Sequence, residues 1–178
     1  MPLPASFLDY CPMAMVSLRT AMLADADALA DIYNYEVKTS SATFDLVARS
    51  IEDQRAWISA RSGAFSAIVA DDPTHGVIGF AALSTYRDRP GYRTTVENSV
   101  YVHRSHQRRG VGKLLLTQLV SLARDSGFHT MIARIDSGST GSLALHRSLG
   151  FVEIGIEREI GRKFGRWLDS VIMQRMLE

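Results

Sequence analysis

Residues 107–113 have the sequence QRRGVGK, in which two arginines and two glycines precede an apolar run. Gly110 and Gly112 let the backbone approach an anion closely, and a helix that begins here presents free N–H groups. Arg108 and Arg109 add positive charge to the same segment. The spacing therefore predicts a phosphate-binding loop. A tight strand-to-helix turn with a solvated basic face is the alternative.

Two common nucleotide-binding motifs do not fit this segment. A Walker A loop requires G-x-x-x-x-G-K-[ST], but Leu114 follows Lys113 and position 107 is Gln. A dinucleotide loop requires G-x-G-x-x-G, but position 115 is Leu. These departures disfavour a P-loop kinase and a Rossmann dehydrogenase.

The elements that must position the loop are predicted in the order β-α-α-β-β-β-α-β-α-β-β. Asp25 or Asp27 is a candidate N-cap for the first helix, and Ser50 with Asp53 forms a near capping box for the second. Residues 152–177 are predicted to form two strands joined by a long loop. Strands and helices alternate only in places, which favours an α/β fold with a mixed central sheet and helices on both faces.

Composition limits the classes of protein that fit. The chain has 178 residues, 46% of them hydrophobic, which suits one globular domain over 15–178 preceded by an extension over 1–14. The formal net charge of +1 gives no reason to expect nucleic-acid or membrane-surface binding. No stretch is typical of a signal peptide or a membrane span. The lone cysteine, Cys11, excludes a disulfide within the chain and favours the cytoplasm.

The loop QRRGVG resembles the pyrophosphate loop of the GNAT N-acetyltransferases, Q/R-x-x-G-x-G/A, which binds acetyl-CoA. A second family motif, N-x-x-A/S-x-x-L-Y-x-x-x-G-F, is similar to STGSLALHRSLGF at residues 139–151. Ser139 stands in place of the usual Asn and His146 in place of the usual Tyr. Together with TVENSVYVH and KFGRWLD, these stretches look like the phosphinothricin or methionine sulfoximine N-acetyltransferases over about residues 16–177.

This resemblance implies a mostly antiparallel sheet flanked by helices and acetyl-CoA as co-substrate, with no metal. It also implies a small amino-acid-like amine as acceptor, and a homodimer. A protein or peptide N-acetyltransferase of the same fold is one alternative function. A non-catalytic acyl-CoA-binding sensor is another, but it would not need an active-site carboxylate. The arginine-rich segment YRDRPGYR favours a compact anionic acceptor over a peptide.

Acetyl transfer to an amine requires a base, because an ammonium has no lone pair. Glu97 lies in a predicted strand just before the loop, where alternation places it on one face with Ser99 and Tyr101. Its carboxylate could accept the proton directly or through water, and the matching Glu of the resembled subfamily is the proposed base. The alternative is an ion pair with Arg87 or Arg93.

Two residues are candidates for protonating the thiolate leaving group. His146 takes the place of the family's tyrosine donor, and imidazole titrates near neutrality. Tyr101 is the competing donor. The alternative for His146 is a structural role as a hydrogen-bonded histidine. The alternative for Tyr101 is packing within the strand.

The remaining site predictions follow from the resemblance. The cofactor is expected to contact the backbone of the strand, the loop and the start of the last helix. These positions are Val100, Tyr101, Val102, Gln107, Arg108, Arg109, Gly110, Val111, Gly112, Lys113, Ser139 and Ser142. The acceptor is expected to bind Arg87 and Arg93 through a carboxylate or phosphinate, with Tyr92 and Phe44 as walls. The spacing His103-x-x-His106 lacks further ligands nearby, so no metal site is predicted.

Overall fold

The structure is a computed structural model that describes residues 16–178. The predicted extension over 1–14, with Cys11, lies outside the described residues. The single domain predicted for 15–178 remains a prediction about organisation.

The predicted element order is confirmed. The strands and helices are β1 Ser17–Thr20, α1 Ala26–Thr39, α2 Ile51–Ser59, β2 Ile68–Asp72, β3 Gly76–Thr85, β4 Thr95–Val102, α3 Val111–Asp125, β5 Thr130–Asp136, α4 Thr140–Ser148, β6 Val152–Lys163 and β7 Arg166–Met176.

The seven strands form one sheet in the order β1-β2-β3-β4-β5-β7-β6. Every neighbouring pair is antiparallel except β4 and β5, which run parallel. The mixed, mostly antiparallel sheet is therefore confirmed. β4 and β5 lie at the centre of the sheet. They can run parallel because the connection between them crosses over through α3.

Helices cover both faces, as predicted. On one face α3 packs its apolar stripe, with Leu115, Leu116 and Leu119 fully buried, against the strands of the sheet. On the other face α1 and α2 enclose a smaller core that includes Leu29 and Phe80. Burial of these side chains supplies most of the favourable free energy of folding, at about 1.5–3 kcal/mol for each large apolar side chain.

The predicted capping box of α2 is confirmed. The Ser50 hydroxyl accepts the Asp53 N–H at 3.0 Å, and the Asp53 carboxylate accepts the Ser50 N–H at 3.2 Å. In α1 the N-cap is Asp25, but its carboxylate binds Arg19 and the Met22 N–H rather than capping the helix. That ion pair fastens the start of α1 to β1.

The long loop predicted between the last two strands is wrong. β6 and β7 continue to Lys163 and Arg166 and are joined by Phe164 and Gly165 alone. Both residues have positive φ, 51° and 73°, which is the geometry of a tight hairpin turn whose twist matches the strands. An aromatic residue rarely adopts this conformation, so Phe164 does not indicate a turn at this position.

Candidate active site

The centre of the sheet opens between β4 and β5. Their pairing runs from Thr95 opposite Thr130 to Glu97 opposite Ile132 and then stops, although both strands continue. The Asn98 side chain donates to the Ile132 carbonyl at 3.1 Å, where the ladder ends. Beyond this point, the peptide groups on that side of β4 have no strand partner among residues 16–178.

Strand alternation determines which peptide groups face the gap. The His103 N–H donates to Ile78 of β3 at 2.8 Å, so the peptide of Tyr101, two residues earlier, also faces β3. The N–H groups of Val100 and Val102 therefore face the gap. Of the three backbone contacts predicted for the cofactor, these two have the required direction, and Tyr101 can contribute through its side chain.

The loop between β4 and α3 presents a row of unpaired donors. Gly110 is the N-cap residue of α3 and has φ 87°, and no side chain caps this end. The Leu114 N–H closes onto Gly110 O at 3.0 Å, so the N–H groups of Val111, Gly112 and Lys113 precede the first helical bond. The helix dipole adds positive potential at the same point, which makes this end suited to a phosphate.

Gly112 also has a packing role that the loop motif does not indicate. A Cβ atom at this position would lie 3.3 Å from Leu145 Cδ2 and 3.6 Å from Val102 Cγ2. The absence of a side chain therefore lets α3 approach α4 and β4 closely. Val111 beside it is buried in the core and can offer a ligand only its N–H group.

A groove of about 900 Å³ runs from this loop into the gap between the strands. Ten of the twelve predicted cofactor residues line it: Val100, Tyr101, Val102, Gln107, Arg108, Gly110, Gly112, Lys113, Ser139 and Ser142. The two others, Arg109 and Val111, do not. Gln107 is held by its amide, which donates to Glu36 Oε1 and to Val102 O, both at 3.4 Å.

A second cavity of about 360 Å³ adjoins the groove. Val100, Tyr101, Ser139 and His146 line both, so the two cavities meet at the end of the gap. Glu97 lines only the smaller cavity. The arrangement provides a long groove for one ligand and a compact pocket with a carboxylate for another.

The carboxylate of Glu97 is half-buried and forms no ion pair with another described residue. Burial raises the pKa of Glu97, the nearby Arg134 charge opposes that rise, and Glu157 adds to it. The alternative ion pair with Arg87 or Arg93 is not formed. A carboxylate with a raised pKa in a cavity has the character of a general base.

Each ring nitrogen of His146 faces an oxygen acceptor, so a neutral imidazole donates its single N–H to one of the two. Nδ1 lies 2.8 Å from the Ser142 carbonyl, and Nε2 lies 3.1 Å from Asn98 Oδ1. Burial lowers the pKa of His146. The imidazole thus links α4 to β4 through Asn98, the residue that also ends the β4–β5 ladder. Sequence reasoning missed Asn98; its signal is a polar residue on the face shared by Val96 and Val100.

Tyr101 packs its ring against Tyr33 at 5.1 Å and Phe80 at 5.2 Å between centroids. Burial first, and the neighbouring Tyr33 second, raise the pKa of Tyr101. Its phenol therefore keeps its proton at neutral pH while lining both cavities. The phenol is therefore protonated and placed where the two cavities meet, although the raised pKa makes it a weaker acid than a free tyrosine.

Segment 41–45 contributes its first four residues to one wall of the smaller cavity, and the β6–β7 hairpin fastens the segment. Lys163, 4% exposed, donates from Nζ to the Thr43 carbonyl at 2.7 Å and to the Glu36 carbonyl at 3.4 Å. The Phe44 ring lies over Gly161, where a Cβ atom would be 2.6 Å from the ring. Sequence reasoning identified Phe44 but missed Lys163, because the contact joins residues 120 positions apart.

The loop between β3 and β4 lies outside both cavities. None of the predicted acceptor residues Arg87, Tyr92 and Arg93 lines either one. The Arg87 guanidinium instead lies over the rings of Tyr86 and Tyr92, at 5.0 and 5.7 Å from their centroids. Contact between these residues and an acceptor remains a prediction.

Two findings on ligands and membranes concern residues 16–178 alone. The side chains there contain no group of three or more His, Cys, Asp or Glu residues that could hold a metal ion. No helix within that range has the length and apolar character to cross a membrane.

Comparison with known proteins defines the class. The acetyltransferase (GNAT) family profile matches residues 29–151, and the chain belongs to this family of acetyltransferases. It is 41% identical to the L-amino acid N-acyltransferase MnaT of Escherichia coli, over 92% of this chain and 95% of that protein. It is 39% identical to an L-methionine sulfoximine/L-methionine sulfone acetyltransferase of Pseudomonas paraeruginosa, over 91% and 95%. A phosphinothricin acetyltransferase structure from Sinorhizobium meliloti in complex with AcCoA superposes with a TM-score of 0.87 at 37% identity, covering 91% and 88%.

Proposed function

We propose that the protein transfers the acetyl group of acetyl-CoA to the amino group of a small amino-acid-like acceptor. The acceptor is of the phosphinothricin, methionine sulfoximine or methionine sulfone type. One observation carries the proposal: a groove with a phosphate-binding helix end meets a compact cavity that holds Glu97. The names of the relatives support the acceptor class, and the small volume of the second cavity supports a single amino acid over a peptide.

The proposed roles follow from placement. The pyrophosphate binds the open N–H groups before Leu114, and the pantetheine arm lies in the gap along Val100 and Val102. The thioester then lies where the two cavities meet. Glu97 accepts the amine proton and Tyr101 protonates the departing thiolate, so that the amide bond forms as the carbon–sulfur bond breaks. Ser139 and Ser142 line the groove beside the arm.

Steady-state release of the CoA thiol across an amine panel tests the proposal. The panel contains methionine sulfone, methionine sulfoximine, phosphinothricin, common amino acids and a lysine peptide. Selective turnover of one of the first three is the expected result. Turnover of the peptide alone would establish the protein-acetyltransferase alternative, and tight acetyl-CoA binding without turnover of any amine would favour the sensor alternative.

Arg108 and Arg109 give a first prediction, because only Arg108 lines the groove. Replacing Arg108 with Ala removes a charge that can bind the pyrophosphate, and the Kd for acetyl-CoA is expected to rise about five- to tenfold. Arg109→Ala is the matched control and should change Kd less than twofold. Calorimetric titration measures both. Equal effects of the two substitutions would mean that the loop attracts the cofactor by charge alone.

Lys163 gives a second prediction. Lys163→Met preserves the length of the side chain but leaves the Thr43 carbonyl without its donor, while the Glu36 carbonyl keeps the Ser40 N–H. We expect a loss of about 1–3 kcal/mol in the free energy of unfolding. Segment 41–45 should then be less well positioned, with a several-fold higher KM for the acceptor and an unchanged Kd for acetyl-CoA. Denaturant unfolding and steady-state kinetics measure these. An unchanged acceptor KM would limit Lys163 to a structural role.

We also propose that the protein is a homodimer located in the cytoplasm. β6 is an edge strand, and Val152, Ile154, Ile156 and Ile160 along it are each more than 45% exposed. Exposed apolar edges of this kind mark association surfaces. Sedimentation equilibrium at micromolar concentration should give twice the monomer mass. The lone cysteine and the use of acetyl-CoA support the location.

A further inference from the structure

The acceptor cavity has one strongly basic side chain on its wall. Among the described residues that line it, Arg134 is the only arginine or lysine. Its guanidinium forms no hydrogen bond within residues 16–178. It forms a long ion pair with Glu157, with 3.9 Å between Nη2 and Oε1, and its central carbon lies 5.8 Å from the Tyr86 ring centroid. The N–H donors of Arg134 are therefore available to a ligand.

The sheet register places Arg134 beside the base. Glu97 pairs with Ile132 across the parallel strands, and Arg134 lies two residues further along β5 on the same face. With paired strands about 4.8 Å apart and about 3.3 Å per residue, the Cα atoms of Glu97 and Arg134 are at least about 8 Å apart, because the two strands diverge beyond Ile132. Side chains of this length can approach one small molecule together.

We propose that Arg134 binds the α-carboxylate of the acceptor amino acid, an inference that rests on the proposed function. An α-amino acid carries its amine and its carboxylate on the same carbon. The group that binds the carboxylate must therefore lie next to the base, wherever the substrate's side chain extends. Arg134 meets that condition. A planar guanidinium also matches a carboxylate with two parallel hydrogen bonds.

The arginines of the loop between β3 and β4 do not meet the condition of lying next to the base. Arg87 is engaged with Tyr86 and Tyr92, and neither Arg87 nor Arg93 lines the cavity.

Binding at Arg134 has a further consequence for the base. The Arg134 charge opposes the rise in the Glu97 pKa, so a bound carboxylate that offsets this charge makes Glu97 a stronger base. An acceptor that carries an α-carboxylate would thereby promote removal of the proton from its own amine.

The test compares methionine sulfone with its carboxamide as acceptors for the wild type, Arg134→Gln and Arg134→Lys. The wild type should prefer the acid. Arg134→Gln should raise KM for the acid about ten- to hundredfold with little change in kcat, and should leave KM for the carboxamide nearly unchanged. Arg134→Lys should be intermediate. Arg158→Gln is the matched control, because Arg158 is exposed on β6 and lines neither cavity.

Three results would overturn the inference. They are a wild type that does not prefer the acid, an Arg134→Gln protein with an unchanged KM for the acid, and an equal rise in KM for acid and carboxamide. If Arg87→Gln alone abolished the preference, the carboxylate would bind the loop instead. The Kd for acetyl-CoA, measured for each variant, confirms that the fold is intact. Absence of turnover by the wild type with any amino acid would refute the proposed function rather than the role of Arg134.

Discussion

Replacing Glu97 with Gln is expected to lower kcat by about 10²- to 10⁴-fold at neutral pH, the contribution of a positioned general base. Glutamine has nearly the same shape but cannot accept the ammonium proton. Only the small fraction of acceptor molecules whose amine is already unprotonated would then react. That fraction rises tenfold per pH unit below the pKa of the amine, so the deficit should narrow as the pH rises. Steady-state kinetics between pH 6 and 10 measure both effects.

The pH dependence of the wild type should report the same group. Glu97 acts as a base only when ionised, and burial raises its pKa. Activity of the wild type should therefore be lost as pH falls through that raised pKa, whereas the activity of Glu97→Gln should fall tenfold per pH unit at every pH below the pKa of the amine, with no break at the pKa of Glu97. Glu153→Gln is the control, because Glu153 is an exposed carboxylate paired with Arg147 at 3.2 Å. Full turnover by Glu97→Gln at neutral pH would exclude Glu97 as the base.

The parts of the fold and site that local sequence encodes could be predicted. The capping box at Ser50 depends on residues three apart, and the phosphate loop depends on glycines two apart. The order of elements follows from hydrophobic periodicity, which each segment carries by itself. Ten predicted cofactor positions line the groove. They could be identified from the sequence because they lie in three short segments, each with its own local motif.

The parts that depend on pairing between distant segments could not be predicted. Arg134 joins the acceptor cavity only because β5 lies between β4 and β7, and Lys163 only because the hairpin folds over segment 41–45. The β4–β5 gap likewise depends on where the ladder stops, at Asn98. Arginines in a loop are conspicuous in a sequence, whereas one arginine in an apolar strand is not. Sequence alone therefore predicts acceptor binding at Arg87 and Arg93.

We propose Tyr101, rather than His146, as the proton donor. His146 lies between two acceptors, the Ser142 carbonyl and Asn98 Oδ1, and burial lowers its pKa. A neutral imidazole carries a single N–H, and donating it to one of these oxygens leaves no proton for a thiolate. Its geometry suits a positioning residue that keeps β4 in place at the gap. Tyr101 keeps its proton and lines both cavities.

Tyr101→Phe is therefore expected to lower kcat about 100-fold, near the low end for general acid catalysis, because a thiolate is a fairly good leaving group. Phenylalanine preserves the ring contacts with Tyr33 and Phe80, so the melting temperature should hardly change. His146→Asn should instead reduce stability by about 1–3 kcal/mol, because it leaves buried polar partners unsatisfied, and lower kcat less than tenfold.

Tyr35→Phe is the matched control for loss of a phenol, since Tyr35 is exposed beneath Arg104 and lines neither cavity. Kinetics at saturating acetyl-CoA, paired with thermal unfolding of each variant, separate the two roles. The opposite pattern, a stable His146→Asn protein with a 100-fold loss of kcat and a fully active Tyr101→Phe protein, would assign the proton to His146. The imidazole would then have to release Asn98 when the thioester binds, because Nε2 can protonate sulfur only after that bond is broken.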